Sequence, residues 1–172
     1  MKIAVTYSSI YGASAYYAEL LADKLGTIAQ DLNDIDKLDA DVLFHFGGLY
    51  AGTINGLKKA CSLLPEDRLF VLCTVGLADP GKERTRDEIM KLSGKILKDR
   101  KYKVFSLRGD MDYSKLTIRH SAMMWALVKV LKAKKNRTEE DEALIETYGG
   151  KLDFKNPDAI LPIVRFTESL EE

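Results

Sequence analysis

The chain has 172 residues, 46% of them hydrophobic, and its 26 Lys and Arg balance 26 Asp and Glu to a formal net charge of zero. That length suits a single domain, residues 1–172, burying roughly 70% of its unfolded surface. The absence of a broad basic field argues against nucleic acid as a partner. No apolar run approaches the ~18 residues that span a bilayer, and no cleavable signal precedes the first apolar segment, so the expected location is the cytoplasm.

In chain order, the first element is a short apolar strand, Ile3-Ala4-Val5-Thr6-Tyr7. It breaks at Ser8-Ser9-Ile10-Tyr11-Gly12-Ala13-Ser14 and resumes as a helix carrying Ala18, Leu21, Ala22 and Leu25 on one face. A strand, hydroxyl-rich turn and helix in succession place backbone N–H groups and a positive dipole end where the chain leaves the sheet, a concavity suited to phosphate. A triphosphate loop would need a Lys after the last Gly, and a dinucleotide loop three glycines. This turn has Ala13-Ser14 and Gly12 alone, which favours a monophosphate held by the hydroxyls of Ser9, Ser14 and Ser8. The same residues also suit a plain strand-to-helix turn in which serine caps the helix.

A weak edge strand is expected within Thr27–Leu32, then a strong strand over Asp41–Phe46 ending in Gly47-Gly48. A helix from Thr53 to Leu64 follows, then a buried strand from Arg68 to Thr74 that exits through Val75-Gly76-Leu77-Ala78. Next come a charged helix over Glu83–Asp99 and a strand over Lys103–Leu107. Alternating strands and helices predict an α/β fold of three layers, whose five-stranded parallel sheet has the order 2-1-3-4-5. In that order ligands sit beyond the carboxyl ends of the strands, where the exits after Tyr7, Phe46 and Thr74 converge. A response-regulator receiver would need acidic residues after its first strand and an aspartate ending its third. The chain has Tyr7-Ser8-Ser9 and His45-Phe46-Gly47 there.

After the fifth strand an extra helical segment, about 114–137, carries Ala122-Met123-Met124-Trp125-Ala126-Leu127-Val128 and then Lys129, Lys132, Lys134, Lys135 and Arg137. A helix apolar on every side is buried in its own domain or faces a partner. The partners that suit it are a second copy, a lipophilic substrate lying against adaptable Met, or an anionic membrane surface. Thr138 and Asp141 predict a helix start, Gly149-Gly150 its stop near Tyr148, and Asn156-Pro157 the opening of a last helix that Pro162 delays or kinks. Cys61 and Cys73 follow no metal or redox spacing and are expected as free, buried thiols, while His45, inside an apolar strand, is expected to be structural.

The stretch Ser9-Ile10-Tyr11-Gly12-Ala13-Ser14 resembles the phosphate loop of flavodoxins, which runs Ser/Thr, any residue, Thr, Gly, any residue, Thr directly after the first strand. Tyr11 replaces the middle threonine. The resemblance implies FMN as cofactor, with its phosphate on residues Ser8 to Ser14. It also implies that the loops Gly48-Leu49-Tyr50-Ala51-Gly52 and Thr74-Val75-Gly76-Leu77-Ala78 flank the flavin ring, with Tyr50 stacking on it and a peptide carbonyl free to accept a proton from reduced flavin. One ring face is then open to a substrate or covered by Tyr113 or Met111.

The layout further resembles the flavodoxin-type, menaquinone-dependent protoporphyrinogen oxidases. This rests on the phosphate turn, the Gly47–Thr53 loop, Arg84-Thr85, and Leu107-Arg108-Gly109 followed by Tyr113 and the Met-rich basic helix. That resemblance implies a porphyrinogen substrate whose propionates meet Arg108, Lys115 or Arg119, a quinone acceptor, and peripheral contact at the inner face of the membrane. The alternatives are an electron-transfer flavodoxin working with redox partner proteins, against which the neutral charge weighs, and a flavin-binding interaction module that dimerises through residues 114–135.

Overall fold

The computed structural model describes residues 1–170. Along the chain run β1 (Ile3–Ser8), α1 (Ala13–Lys24), β2 (Ala29–Asp31), β3 (Val42–Tyr50), β4 (Thr53–Ile54), α2 (Leu57–Leu63), β5 (Leu69–Gly76), α3 (Glu83–Leu97) and β6 (Tyr102–Arg108). They are followed by β7 (Asp110–Asp112), α4 (Ile118–Ala133), α5 (Glu139–Glu146), β8 (Lys151–Asp153) and α6 (Leu161–Glu168). The contacts define two compact units, one of Met1–Gly109 with the segment from Phe154 on, the other of Asp110–Asp153.

In the first unit five parallel strands take the order β2-β1-β3-β5-β6, while β4 folds back antiparallel on the end of β3. Counting the five parallel strands alone, this is the expected 2-1-3-4-5. The register sets Ser8 beside Gly47, Gly47 beside Thr74 and Gly76 beside Arg108, so the carboxyl ends lie level. Strands β3 and β5 read as continuous apolar runs because both of their faces are covered. On one face Val5, Phe44, Phe46 and Val71 pack with Tyr17, Leu21 and Ile163. On the other, Leu43, Phe70 and Leu72 pack with Leu57, Ala60 and Leu97. Side chains that alternate across the pleat thereby feed two separate cores.

Around the end of β3 the boundaries differ from the sequence expectation. Strand β3 does not end at its glycines but runs through them to Tyr50, and Thr53-Ile54, expected to open a helix, is a strand. The cause is the two-residue turn between them. Ala51 and Gly52 have φ of 48° and 73°, the pair of positive values that a tight hairpin of matching twist requires. Helix α2 therefore waits until Leu57, behind Gly56. At the other end Asn156 caps a short 3₁₀ turn over Pro157–Ile160, and α6 begins only at Leu161 with Pro162 in its first turn.

In the second unit β7 and β8 form an antiparallel ribbon with Met111 opposite Leu152, an element too short and too charged to register as a strand from sequence. Thr117 caps α4, and Thr138 and Asp141 cap α5 through the reciprocal pair of hydrogen bonds expected of them. Helix α5 ends at Glu146, two residues before the expected Tyr148. Tyr148 meets Tyr113 edge-on with ring centroids 5.2 Å apart. In α4, Val128 is buried, but Ile118 is 91%, Val130 66% and Trp125 52% exposed. Lys129 lies over the Trp125 ring, 4.2 Å from its centroid. Among the described residues no helix is long and apolar enough to cross a membrane.

Candidate functional site

The turn after β1 is built to leave the start of α1 open. Gly12 occupies the N-cap position with φ of 105°, a conformation costly for any residue with a Cβ, and no side chain caps the helix. Serine capping, the plainer expectation, is therefore not what this turn does. Ser9 Oγ instead accepts the Gly12 N–H at 2.9 Å, closing the turn one step earlier and leaving the first-turn N–H groups of α1 without a side-chain partner. No acidic residue stands in that first turn, and Ser14 places a nearly buried hydroxyl, 2% exposed, on it. Ile10 is 46% exposed and carries no polar atom into the turn, so its contribution is backbone.

The hairpin after β3 brings the second expected loop alongside. Tyr11 of the first turn and Tyr50 of the hairpin meet edge-on with centroids 5.8 Å apart. The Tyr50 ring also folds over Gly48, where an added Cβ would come 2.4 Å from Cε2. Leu49 reaches the third loop, since a Cβ on Gly76 would come 3.0 Å from its Cδ1. Glycine at 76 thus lets the second and third loops close on one another, and glycine at 48 lets the Tyr50 ring fold back over its own strand. At the hairpin tip Ala51 and Gly52 are exposed, and Thr53 Oγ1 donates to the Tyr50 carbonyl at 2.8 Å.

The third loop contributes backbone more than side chains. Thr74 is fully buried, its hydroxyl donating to Ser106 Oγ at 3.1 Å, so it is spent within the sheet. Val75 is buried against Gly109, and Ala78 is exposed. The carbonyl of Leu77 accepts two hydrogen bonds from Arg108, at 3.1 Å from Nε and 2.9 Å from Nη2, and the same guanidinium stacks on Phe154 with its carbon 3.6 Å from the ring centroid. Arg108, which with Lys115 and Arg119 the sequence offered as a cation for substrate carboxylates, is here bonded to the Leu77 carbonyl of this loop.

The two cysteines are free thiols. Cys73 is fully buried and Cys61 half-buried, and burial pushes both thiols up from their ordinary values. Among the described residues no group of three or more His, Cys, Asp or Glu is placed to hold a metal. Sequence reasoning missed the fastening of Asn55 by His45, described below. The signal for it was a histidine in the middle of a strand that is otherwise apolar.

An anion fits the first turn on two grounds: the open N–H groups of α1 and the absence of any opposing carboxylate there. Comparison with known families matches residues 4–138 to the flavodoxin domain. No curated protein matches the chain. With its parallel sheet in the order β2-β1-β3-β5-β6 and a match over most of its length, the chain belongs to the flavodoxin domain family, whose members bind flavin and carry out redox chemistry.

Proposed function

We propose that the chain binds FMN across the exits of β1, β3 and β5 and serves as an oxidoreductase that removes electrons from a porphyrinogen, in the manner of the menaquinone-dependent protoporphyrinogen oxidases whose layout it resembles. The observation that carries the FMN reading is the uncapped, acid-free start of α1 beneath a glycine at positive φ, a cradle for one phosphate and too small in glycine content for two. When bound, the flavin supplies the one- and two-electron transfer. The protein's share is to hold the phosphate on the N–H groups and Ser14, to flank the ring with Tyr50 and Leu49, and to keep the Leu77 carbonyl fixed through Arg108. None of these steps calls for an acid–base pair.

Two features support substrate oxidation. The zero net charge leaves no acidic field for steering redox proteins together. Helix α4 carries no Asp or Glu, exposes Ile118, Trp125 and Val130, and bears Lys129 and Lys132, a composition suited to an anionic lipid surface where a quinone would accept the electrons. The second reading, an electron-transfer flavodoxin passing electrons between redox proteins, is equally consistent with the flavodoxin domain.

The test begins with titration of purified protein with FMN, followed by its visible spectrum. Saturation at one FMN per chain is expected. The flavoprotein is then mixed anaerobically with protoporphyrinogen, and separately with a ferredoxin or an NAD(P)H-dependent reductase. Bleaching by protoporphyrinogen and recovery on adding a menaquinone support the oxidase reading. Bleaching by the reductase alone replaces it with the electron-transfer reading.

A further inference from the structure

His45 lies in the middle of β3 and is fully buried, at a place where the strand could have carried another Leu or Val. Its Nε2 is 2.9 Å from the Asn55 carbonyl oxygen and its Nδ1 3.0 Å from Thr6 Oγ1. A carbonyl can only accept, so Nε2 carries the hydrogen and Nδ1 accepts from the Thr6 hydroxyl. Burial holds the pKa of His45 down to about 4, so at ordinary pH the ring is neutral and makes both bonds in these roles.

The partner carbonyl belongs to the return arm of the Tyr50 hairpin. Asn55 is tied at both of its backbone groups, its N–H donating to the Gly48 carbonyl at 2.9 Å and its carbonyl receiving His45. Gly47 makes the approach possible: a Cβ there would lie 2.8 Å from the Asn55 oxygen and 2.7 Å from Ile54 Cγ2. The next residue, Gly56, lies against the phosphate turn, since a Cβ on it would come 2.1 Å from Ser8 Oγ. Thr6 leads into that same turn and is the direct neighbour of His45 in the sheet. A closed circuit therefore runs from Thr6 through His45 and Asn55 to Gly56 and back to Ser8.

Resting on the FMN reading above, we infer that His45 is a positioning residue for the flavin site, fastening the Tyr50 hairpin to the sheet through the Asn55 carbonyl and so fixing the ring-side loop relative to the phosphate turn. It touches no ligand itself. Its effect is to remove a freedom that FMN binding would otherwise have to remove, and to hold Tyr50 and the Gly48 backbone at one setting beside the ring.

Three substitutions separate this role from mere core packing. In His45→Gln the amide nitrogen reaches where Nε2 sits and keeps the bond to Asn55. In His45→Asn the shorter side chain replaces Nδ1 toward Thr6 and stops short of Asn55, and His45→Leu removes both bonds. Thermal stability, the Kd for FMN, the midpoint potential of bound flavin, and hydrogen exchange of the Asn55 amide without FMN are measured for each. Expected are a Kd within about twofold of the original and an unchanged potential in His45→Gln. Asn and Leu should give about three- to tenfold weaker binding, a shifted potential and faster Asn55 exchange. If all three variants lose stability while Kd and potential stay unchanged in the folded protein, the inference is overturned. The same holds if Gln and Asn behave alike. Original protein that binds no FMN while Asn55 exchange still separates Gln from Asn would overturn the FMN reading and leave the fastening of the hairpin standing.

Discussion

The sheet of the first unit and helix α4 of the second have similar apolar content and opposite fates. Phe44, Phe46, Leu43, Phe70 and Leu72 are all fully buried, whereas Ile118, Trp125 and Val130 each show half or more of their surface. A strand in the middle of a sheet acquires two covered faces as soon as helices pack on both sides, and every residue of it finds a partner. Unit 110–153 has a two-stranded ribbon and one short helix, α5, with which to cover α4, and they suffice for one face. Apolar content alone is therefore not a measure of core. What counts is the number of layers that can be laid over it.

The contrast is sharpest in truncation. Phe44→Ala should destabilise the protein by about 3–5 kcal/mol, and Trp125→Ala by less than about 1 kcal/mol, both read from urea unfolding. Equal losses would break the comparison.

A buried polar residue of the same sheet gives the next largest effect. His45 has a folded pKa of about 4 against an unfolded 6.5, so between these values the unfolded chain takes up a proton that the folded chain refuses. Its contribution is full above pH 6.5 and falls as pH drops, by about 3 kcal/mol in all at pH 4. His45→Gln should flatten that part of the stability profile, and an unchanged slope would assign the acid loss to other groups.

Ser14→Asp sets a negative charge in the open first turn of α1 and should weaken FMN about tenfold or more with the fold retained, measured by fluorescence titration. Unchanged affinity would move the phosphate elsewhere. The smallest effect belongs to the second unit: Thr138→Ala removes half of the reciprocal cap of α5 and should cost about 1 kcal/mol. It should appear as faster amide exchange in residues 139–146 with the exchange of β3 and β5 unaltered.

How far each part could be read from sequence follows from the range of the interactions behind it. The strand order and the turn between β1 and α1 were legible because apolar runs, Gly12 and the serines act within a few residues of themselves. The hairpin at Ala51-Gly52 was not, because alanine in a left-handed conformation gives no turn signal and Thr53–Leu64 has a passable helical pattern. Ribbon β7–β8 pairs residues some forty positions apart, and neither strand is long enough to show alternation. The contacts of Arg108 with the Leu77 carbonyl and the Phe154 ring were not legible, because these partners come from distant parts of the chain. The cap of α5, by contrast, is local and was read correctly down to Asp141.

The Tyr17 hydroxyl, buried in the first unit, donates to the Arg108 carbonyl at 2.8 Å and accepts the Asn156 N–H at 2.9 Å, and the Phe154 N–H reaches the Gly109 carbonyl at 3.1 Å. The places where the chain departs for residues 110–153 and returns from them are thus stitched together within the first unit itself. Closing a loop costs entropy only logarithmically in its length, so a seam of this kind tolerates whatever is spliced into it. Replacing residues 110–153 by a shorter linker is therefore expected to leave the sheet of the first unit folded, read by the amide exchange of β3 and β5.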